Sequence, residues 1–251
     1  MKAPQSILTT WRKFDEFPME TLTKAWFYHR ADNLRQRSVS QMREHRMQYG
    51  ISGNCFDLAL WLLDEFQRDG IQAYPIGHDI GTEDAHVAVM ALDENGQRYL
   101  CDLGDQWLNP ILIDVESEDY SNEKCRGFFP AAEVQIVPVE KEIEVIYHRP
   151  NGKISKQVYV IEPIDRDIFL EAAEYCQNHV NEKPLLEVRK PYKNEIAHWE
   201  FYNWQSFLST TDGIFHDSPL GKVEEWVERI NKMTGFRKEF LLEAIRIYED
   251  M

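Results

Sequence analysis

The 251-residue chain carries 43 acidic against 28 basic side chains, a formal charge of −15, with 43% hydrophobic and 12% aromatic residues. This is ordinary globular composition, which excludes the disordered, collagen-like and coiled-coil classes. The acidic balance repels polyanions, so nucleic acid is not an expected partner.

No window approaches the roughly 18 apolar residues of a membrane span, and the opening Met1-Lys2-Ala3-Pro4-Gln5-Ser6 has no secretory apolar run. A cytoplasmic protein with no membrane partner is expected; the oligomeric state is left open. Cys55, Cys101, Cys125 and Cys176 are scattered without Cys-x-x-Cys or Cys/His doublets. Neither a disulfide framework nor a metal site is expected, and each thiol needs its own explanation.

In chain order, residues 17–49 read as helix in two pieces. Met19, Leu22, Ala25, Trp26 and Tyr28 share one face, and a polar stretch from Arg35 to Arg46 follows as solvated surface. Residues 53–70 form a strongly apolar helix, capped by Asn54 and stopped by Gly70, which its composition marks as buried. Strands are expected over 71–76, 85–92 and 97–103, the last two joined as a hairpin through Asp93-Glu94-Asn95-Gly96. Acidic residues between Asp114 and Glu123 mark an exposed loop.

Alternation returns in 134–137, 143–147 and 156–160, with Asn151-Gly152 as a turn, and predicts a small antiparallel barrel or sheet. Residues 165–179 read as helix. Residues 198–208 are aromatic and ambiguous between helix and strand, and the segment His198 to Trp204 fits a core cluster better than an aromatic acceptor pocket. Residues 219–250 give two amphipathic helices split at Thr234-Gly235. No repeat or long linker separates independent domains.

Cys55 falls in the first turn of the buried helix, where free backbone N–H groups and the helix dipole stabilise a thiolate. His86 opens one strand of the hairpin and Asp102 nears the end of the other, within a residue or so of facing each other. Alternation puts His86, Ala88, Met90 and Leu92 on one face, and Arg98, Leu100 and Asp102 on one face of the partner. An imidazole that donates one N–H to a carboxylate keeps its other nitrogen free for a thiol proton, the logic of a Cys-His-Asp triad. Taken singly, each residue has a bland reading: a small buried hydrophobe, a core histidine, a strand-end carboxylate. Cys101 points away from Asp102 into the core. His78, beside Asp79, reads as a solvent-facing loop histidine.

The order Gly53-Asn54-Cys55, Gly70-Ile71-Gln72-Ala73, His86-Val87 and Tyr99-Leu100-Cys101-Asp102-Leu103-Gly104 resembles the transglutaminase-like cysteine superfamily, and within it most closely the arylamine N-acetyltransferases. In that family Arg-Gly-Gly-x-Cys carries the nucleophile, a His-hydrophobic strand the base, and Val-Asp-Val-Gly-Phe-Gly the acid. Leu108-Asn109-Pro110-Ile111-Leu112 is similar to the segment that follows. The motifs span about residues 51–112. Ile51 and Ser52 stand where Arg-Gly is usual, Asn54 replaces an aromatic residue, and Asp105-Gln106 replace Phe-Gly. Asp105 would oppose an anionic donor unless it points away or meets a basic group.

The resemblance implies an α+β, papain/transglutaminase-like fold. A helical part (1–75) would carry the nucleophile, an antiparallel β-barrel part (76–163) the base and acid, and an α/β lid with C-terminal helices would fill 164–251. It implies catalytic roles for Cys55, His86 and Asp102, acetyl-CoA as co-substrate, and a small-molecule amine as acceptor. The same triad also suits an enzyme acting on carboxamides without CoA, and the same fold suits a non-catalytic binding module.

Overall fold

Residues 2–29 and 34–251 are described by the computed structural model. The chain starts with helix α1 (Gln5–Trp11), strand β1 (Met19–Glu20), a π-helical stretch over Lys24–Tyr28, and helices α2 (Val39–Tyr49) and α3 (Cys55–Arg68). Met19 therefore belongs to a strand rather than to the expected helix face, because it pairs with Glu187 of a distant strand. Part of that helical expectation, residues 30–33, lies outside the described residues.

α3 is the buried helix the composition demanded. Phe56, Leu58, Ala59, Leu62 and Phe66 are covered, each large one contributing roughly 1.5–3 kcal/mol by leaving water. Gly70 ends it with a positive φ of 74°, which a left-handed helix stop requires and glycine adopts freely.

Eight antiparallel strands follow: β2 (Ala73–His78), β3 (His86–Leu92), β4 (Arg98–Cys101), β5 (Ile111–Leu112), β6 (Cys125–Phe129), β7 (Ala132–Val139), β8 (Glu142–His148) and β9 (Ile154–Val160). Their order is β5-β4-β3-β2-β9-β8-β7-β6. The Leu108 N–H donates to the Phe128 carbonyl at 2.7 Å, so the approach to β5 reaches β6 and the sheet curls into a nearly closed barrel. β3 is buried from Val87 to Ala91. Successive residues point to opposite faces, so both faces are covered, one of them by α3.

Helix α4 (Arg166–Asn178) leads to a second antiparallel sheet of β10 (Leu185–Tyr192), β11 (Glu195–Tyr202), β12 (Gln205–Thr210) and β13 (Gly213–His216), with β1 beside β10. Helices α5 (Val223–Thr234) and α6 (Lys238–Glu249) pack on it, and Gly235 caps α5 in the left-handed region. Trp199 and Phe201 of the aromatic run are core residues, sharing a cluster with Trp26, Trp226 and Phe240. Among the described residues no helix is long and apolar enough to cross a membrane.

Candidate active site

The sequence Asn54-Cys55-Phe56-Asp57 builds the front of α3. The Asn54 side chain accepts hydrogen bonds from the Phe56 and Asp57 N–H groups at 3.1 and 3.2 Å, and Asp57 accepts from the Asn54 N–H at 3.3 Å, a closed capping box. Cys55 is the first helical residue and is half-buried. Asp57 is held in turn by Arg37 at 2.9 Å, both groups being buried. The Arg37 guanidinium also donates to the Ser52 carbonyl at 3.0 Å. Gly53 has φ 131°, and a Cβ there would run into the Asp57 side chain, so glycine is required next to the cap.

His86 opens β3, and Asp102 directly follows the end of β4. The register of the two strands pairs Val89 with Cys101 and Met90 with Leu100; continued, it sets Asp102 level with Ala88. His86 and Asp102 thus share a face but are offset by two residues, not the one or so expected, because the hairpin pairs Leu92 with Arg98 and so fixes the register. The imidazole spans the offset, its Nε2 lying 2.9 Å from Asp102 Oδ2. An ionised carboxylate only accepts, so Nε2 is the N–H and the other ring nitrogen is left for a partner. Cys55 lies beside the same imidazole and helps to raise its pKa. A Cβ on Gly104 would sit 2.7 Å from both Cys55 Cβ and His86 Cε1, so thiol and imidazole meet over a glycine. Cys55, His86 and Asp102 are brought together.

Burial alone would lower the His86 pKa, but the Asp102 and Asp105 charges, the hydrogen bond to Asp102 and the neighbouring Cys55 lift it well above its ordinary value. Asp102 is fully buried. Burial pushes its pKa up, yet His86, the Tyr159 hydroxyl (2.6 Å) and the Asp105 N–H (3.0 Å) hold it below the usual carboxylate range. Asp105 does not point away: its Oδ1 is 3.8 Å from His86 Nε2 and its Oδ2 accepts from Tyr147 at 2.8 Å. Burial and the Asp102 charge push its pKa up.

Tyr147, Gln157 and Tyr159 are members of the site that sequence reasoning did not single out. Gln157 Oε1 lies 2.6 Å from the Tyr147 hydroxyl and 3.0 Å from that of Tyr159, tying the carboxylates to β8 and β9. Inward alternation of 143, 145, 147 and of 157, 159 was the available signal. His78 corrects another expectation: it ends β2 rather than lying in a loop, pairs with His86 in register, and stacks on it at 5.5 Å. The remaining thiols are less acidic than usual. Burial raises Cys101 and Cys125, and raises Cys176 to about 11 despite the Lys24 ammonium 3.7 Å away. Cys101 faces the core, as expected.

Among the described residues two groups bring potential metal ligands within 4.8 Å of one another. His86, Asp102 and Asp105 form one, but Asp102 and Asp105 each already accept a tyrosine hydrogen bond. Glu187, His198 and Glu200 form the other.

No protein-family model matches the chain, and no curated protein matches its sequence. Solved structures do. Arylamine N-acetyltransferase of Mycobacterium smegmatis superposes with a TM-score of 0.73 at 12% identity, over 97% of this chain and 90% of that one. The Nocardia farcinica enzyme gives 0.72 at 14% identity, over 98% and 91%. Mycobacterium marinum arylamine N-acetyltransferase in complex with CoA gives 0.67 at 9% identity, over 93% and 88%. The chain has the arylamine N-acetyltransferase fold.

Within that fold the departures from the motif have structural roles. Ile51 is buried among the second-sheet aromatics, the Ser52 hydroxyl donates to the Pro18 carbonyl at 2.5 Å, and Asn54 is the helix cap. Gln106 is buried with a positive φ of 59° and donates to the Leu103 carbonyl at 2.9 Å, closing the turn that carries Asp102 and Asp105.

Proposed function

We propose that this chain is an acyl-CoA-dependent N-acyltransferase that works through an acyl-Cys55 intermediate. The observation that carries the reading is the buried His86–Asp102 contact with Cys55 facing the same imidazole across Gly104. His86 takes the Cys55 proton, and the sulfur attacks the thioester carbonyl carbon. The carbon–sulfur bond to CoA breaks, and the leaving thiolate takes the proton from His86. An amine then attacks the acyl-cysteine, gives its proton to His86, and the proton returns to Cys55. Asp102 fixes the imidazole tautomer and stabilises its cation without accepting the proton. The Cys55 N–H, which the Asn54 cap does not engage, is the α3 donor available to the oxyanion. In this division residues 1–75 bring the nucleophile, 76–163 the base and acid, and 164–251 the lid.

An anionic donor needs cations, and one cavity beside the barrel offers a group of them. A cavity of about 720 Å³ between β6, the β8–β9 turn and the β10–β11 turn is lined by Lys124, Arg126, His148, Arg149 and Lys153, with Glu133, which pairs with Arg126 at 2.6 Å, and Glu195 beside them. Phe129 on its wall packs on Tyr147 at 4.7 Å, and Tyr147 binds Asp105. We assign the CoA phosphates to this cavity. A second reading, attack on a neutral carboxamide, is favoured by Asp105, whose carboxyl beside His86 opposes polyanions.

Acetyl transfer from acetyl-CoA to aromatic amines and hydrazines tests the proposal. Cys55→Ser is expected to abolish it, and Arg149→Glu to raise KM for acetyl-CoA with little change in kcat. Transfer unaffected by Cys55→Ser would overturn the reading; hydrolysis of carboxamides with no use of CoA would favour the second.

A further inference from the structure

The lid sheet holds a donor set that the proposed reaction does not use. β10 and β11 pair Glu187 directly with Glu200 and Arg189 with His198, so both glutamates and His198 share one face. Glu187 Oε1 lies 3.9 Å from His198 Nε2, too far for a hydrogen bond. One atom from each of the three side chains falls within 4.8 Å of the others.

Two features of this face are costly as they stand. Glu187 and Glu200 set two carboxyl groups directly opposite each other on neighbouring strands, where burial penalises their charged forms, and among the described residues no lysine or arginine forms an ion pair with either. His198 is only 5% exposed, and its Nε2 has no hydrogen-bond partner. A buried, unpaired nitrogen is ordinarily avoided. Arg189, on the same face, is committed to the carbonyls of Phe14, Phe17 and Trp107. Arg149 sits over the Phe129 ring at 5.7 Å.

We propose that Glu187, His198 and Glu200 bind one divalent transition-metal cation such as zinc, cobalt or manganese. Two carboxylates balance the charge of a dication, and an imidazole Nε2 with carboxylate oxygens is a donor set such ions accept. The cation answers both costs: it separates the paired carboxylates and occupies the lone pair of Nε2. The charges of Arg149 and Lys153 act on Glu200, and those of Asp105, His86 and Asp102 act on Glu187. Histidine and cysteine spacing gave no sign of this site because strand register, not sequence proximity, assembles it.

The test uses the full chain stripped with a chelator. Titration with Co²⁺ followed by visible absorption, and with Zn²⁺ by calorimetry, is expected to give one equivalent bound, without a thiolate-to-cobalt charge-transfer band. Cys55→Ala should leave that binding intact. Glu187→Gln, Glu200→Gln and His198→Ala should each weaken it at least about tenfold, the lower range for disturbing even an outer-shell partner. The isosteric glutamine variants carry the test if His198→Ala fails to fold. No binding, or binding lost in Cys55→Ala and kept in Glu187→Gln, would overturn the proposal. None of these readouts depends on acyltransfer.

Discussion

The Tyr159 hydroxyl donates to Asp102 Oδ2 at 2.6 Å, the same oxygen that faces His86 Nε2 at 2.9 Å. A carboxylate held from both sides is fixed in rotation, and the imidazole is fixed through it. Burial and the Asp102 charge push the Tyr159 pKa well above its ordinary value, so it remains a neutral donor. Tyr159→Phe is expected to cost about 1–3 kcal/mol, the range for leaving a buried acceptor short of a partner. It should slow Cys55 alkylation less than Asp102→Asn does, which a side-by-side iodoacetamide time course measures.

Asp102→Asn removes the charge that lifts His86. The His86 pKa should fall, as read by NMR titration of the ring, and acyl transfer should fall on the order of 10⁴-fold. Stability should change by about 1 kcal/mol, a melting shift of roughly 2–4 °C for a chain this size. An unchanged His86 titration would show that the pair is not coupled.

Gly104→Ala places a methyl group 2.7 Å from both Cys55 Cβ and His86 Cε1. The protein should fold with a loss of about 1–3 kcal/mol, while Cys55 reactivity drops on the order of 100-fold, as a displacement near 1 Å commonly causes. Wild-type alkylation rates in this variant would contradict the close approach across the glycine.

Glu20 is fully buried, accepts from the Thr23 N–H and hydroxyl, and has its own N–H on the Gly53 carbonyl. Burial raises its pKa from 4.5 to about 7. The folded form therefore holds this proton more tightly than the unfolded form. Its contribution is full below about 4.5 and is lost as pH rises through about 7, by roughly 3 kcal/mol. Denaturant midpoints measured from pH 5 to 8 should fall with rising pH, and Glu20→Gln should make that fall shallower. An equal slope in the variant would remove Glu20 as the cause.

Several parts of the site were legible in the sequence because each rests on local rules. Asn54 and Gly70 bracket an apolar run, and that placed Cys55 at a helix start. Alternation put His86 and Asp102 on one face. Their two-residue offset was not legible, because it depends on the exact register that the Asp93–Gln97 turn gives the hairpin. Tyr147, Gln157 and Tyr159 reach Asp102 and Asp105 only through curling of the sheet, which brings β9 beside β2. Glu187 and Glu200 meet through the β10–β11 register, and nothing in local spacing announces that. Met19 was read as helical for the same reason, since its strand exists only through β10.

The central claim is that Cys55 takes an acyl group from CoA before any amine arrives. Rapid mixing with acetyl-CoA in the absence of amine tests it directly, with free thiol followed in time and the protein mapped by mass spectrometry. The account predicts a burst of about one CoA thiol per chain and an acetyl group on Cys55. No burst and no adduct, from protein whose Cys55 still reacts selectively with iodoacetamide, would contradict it.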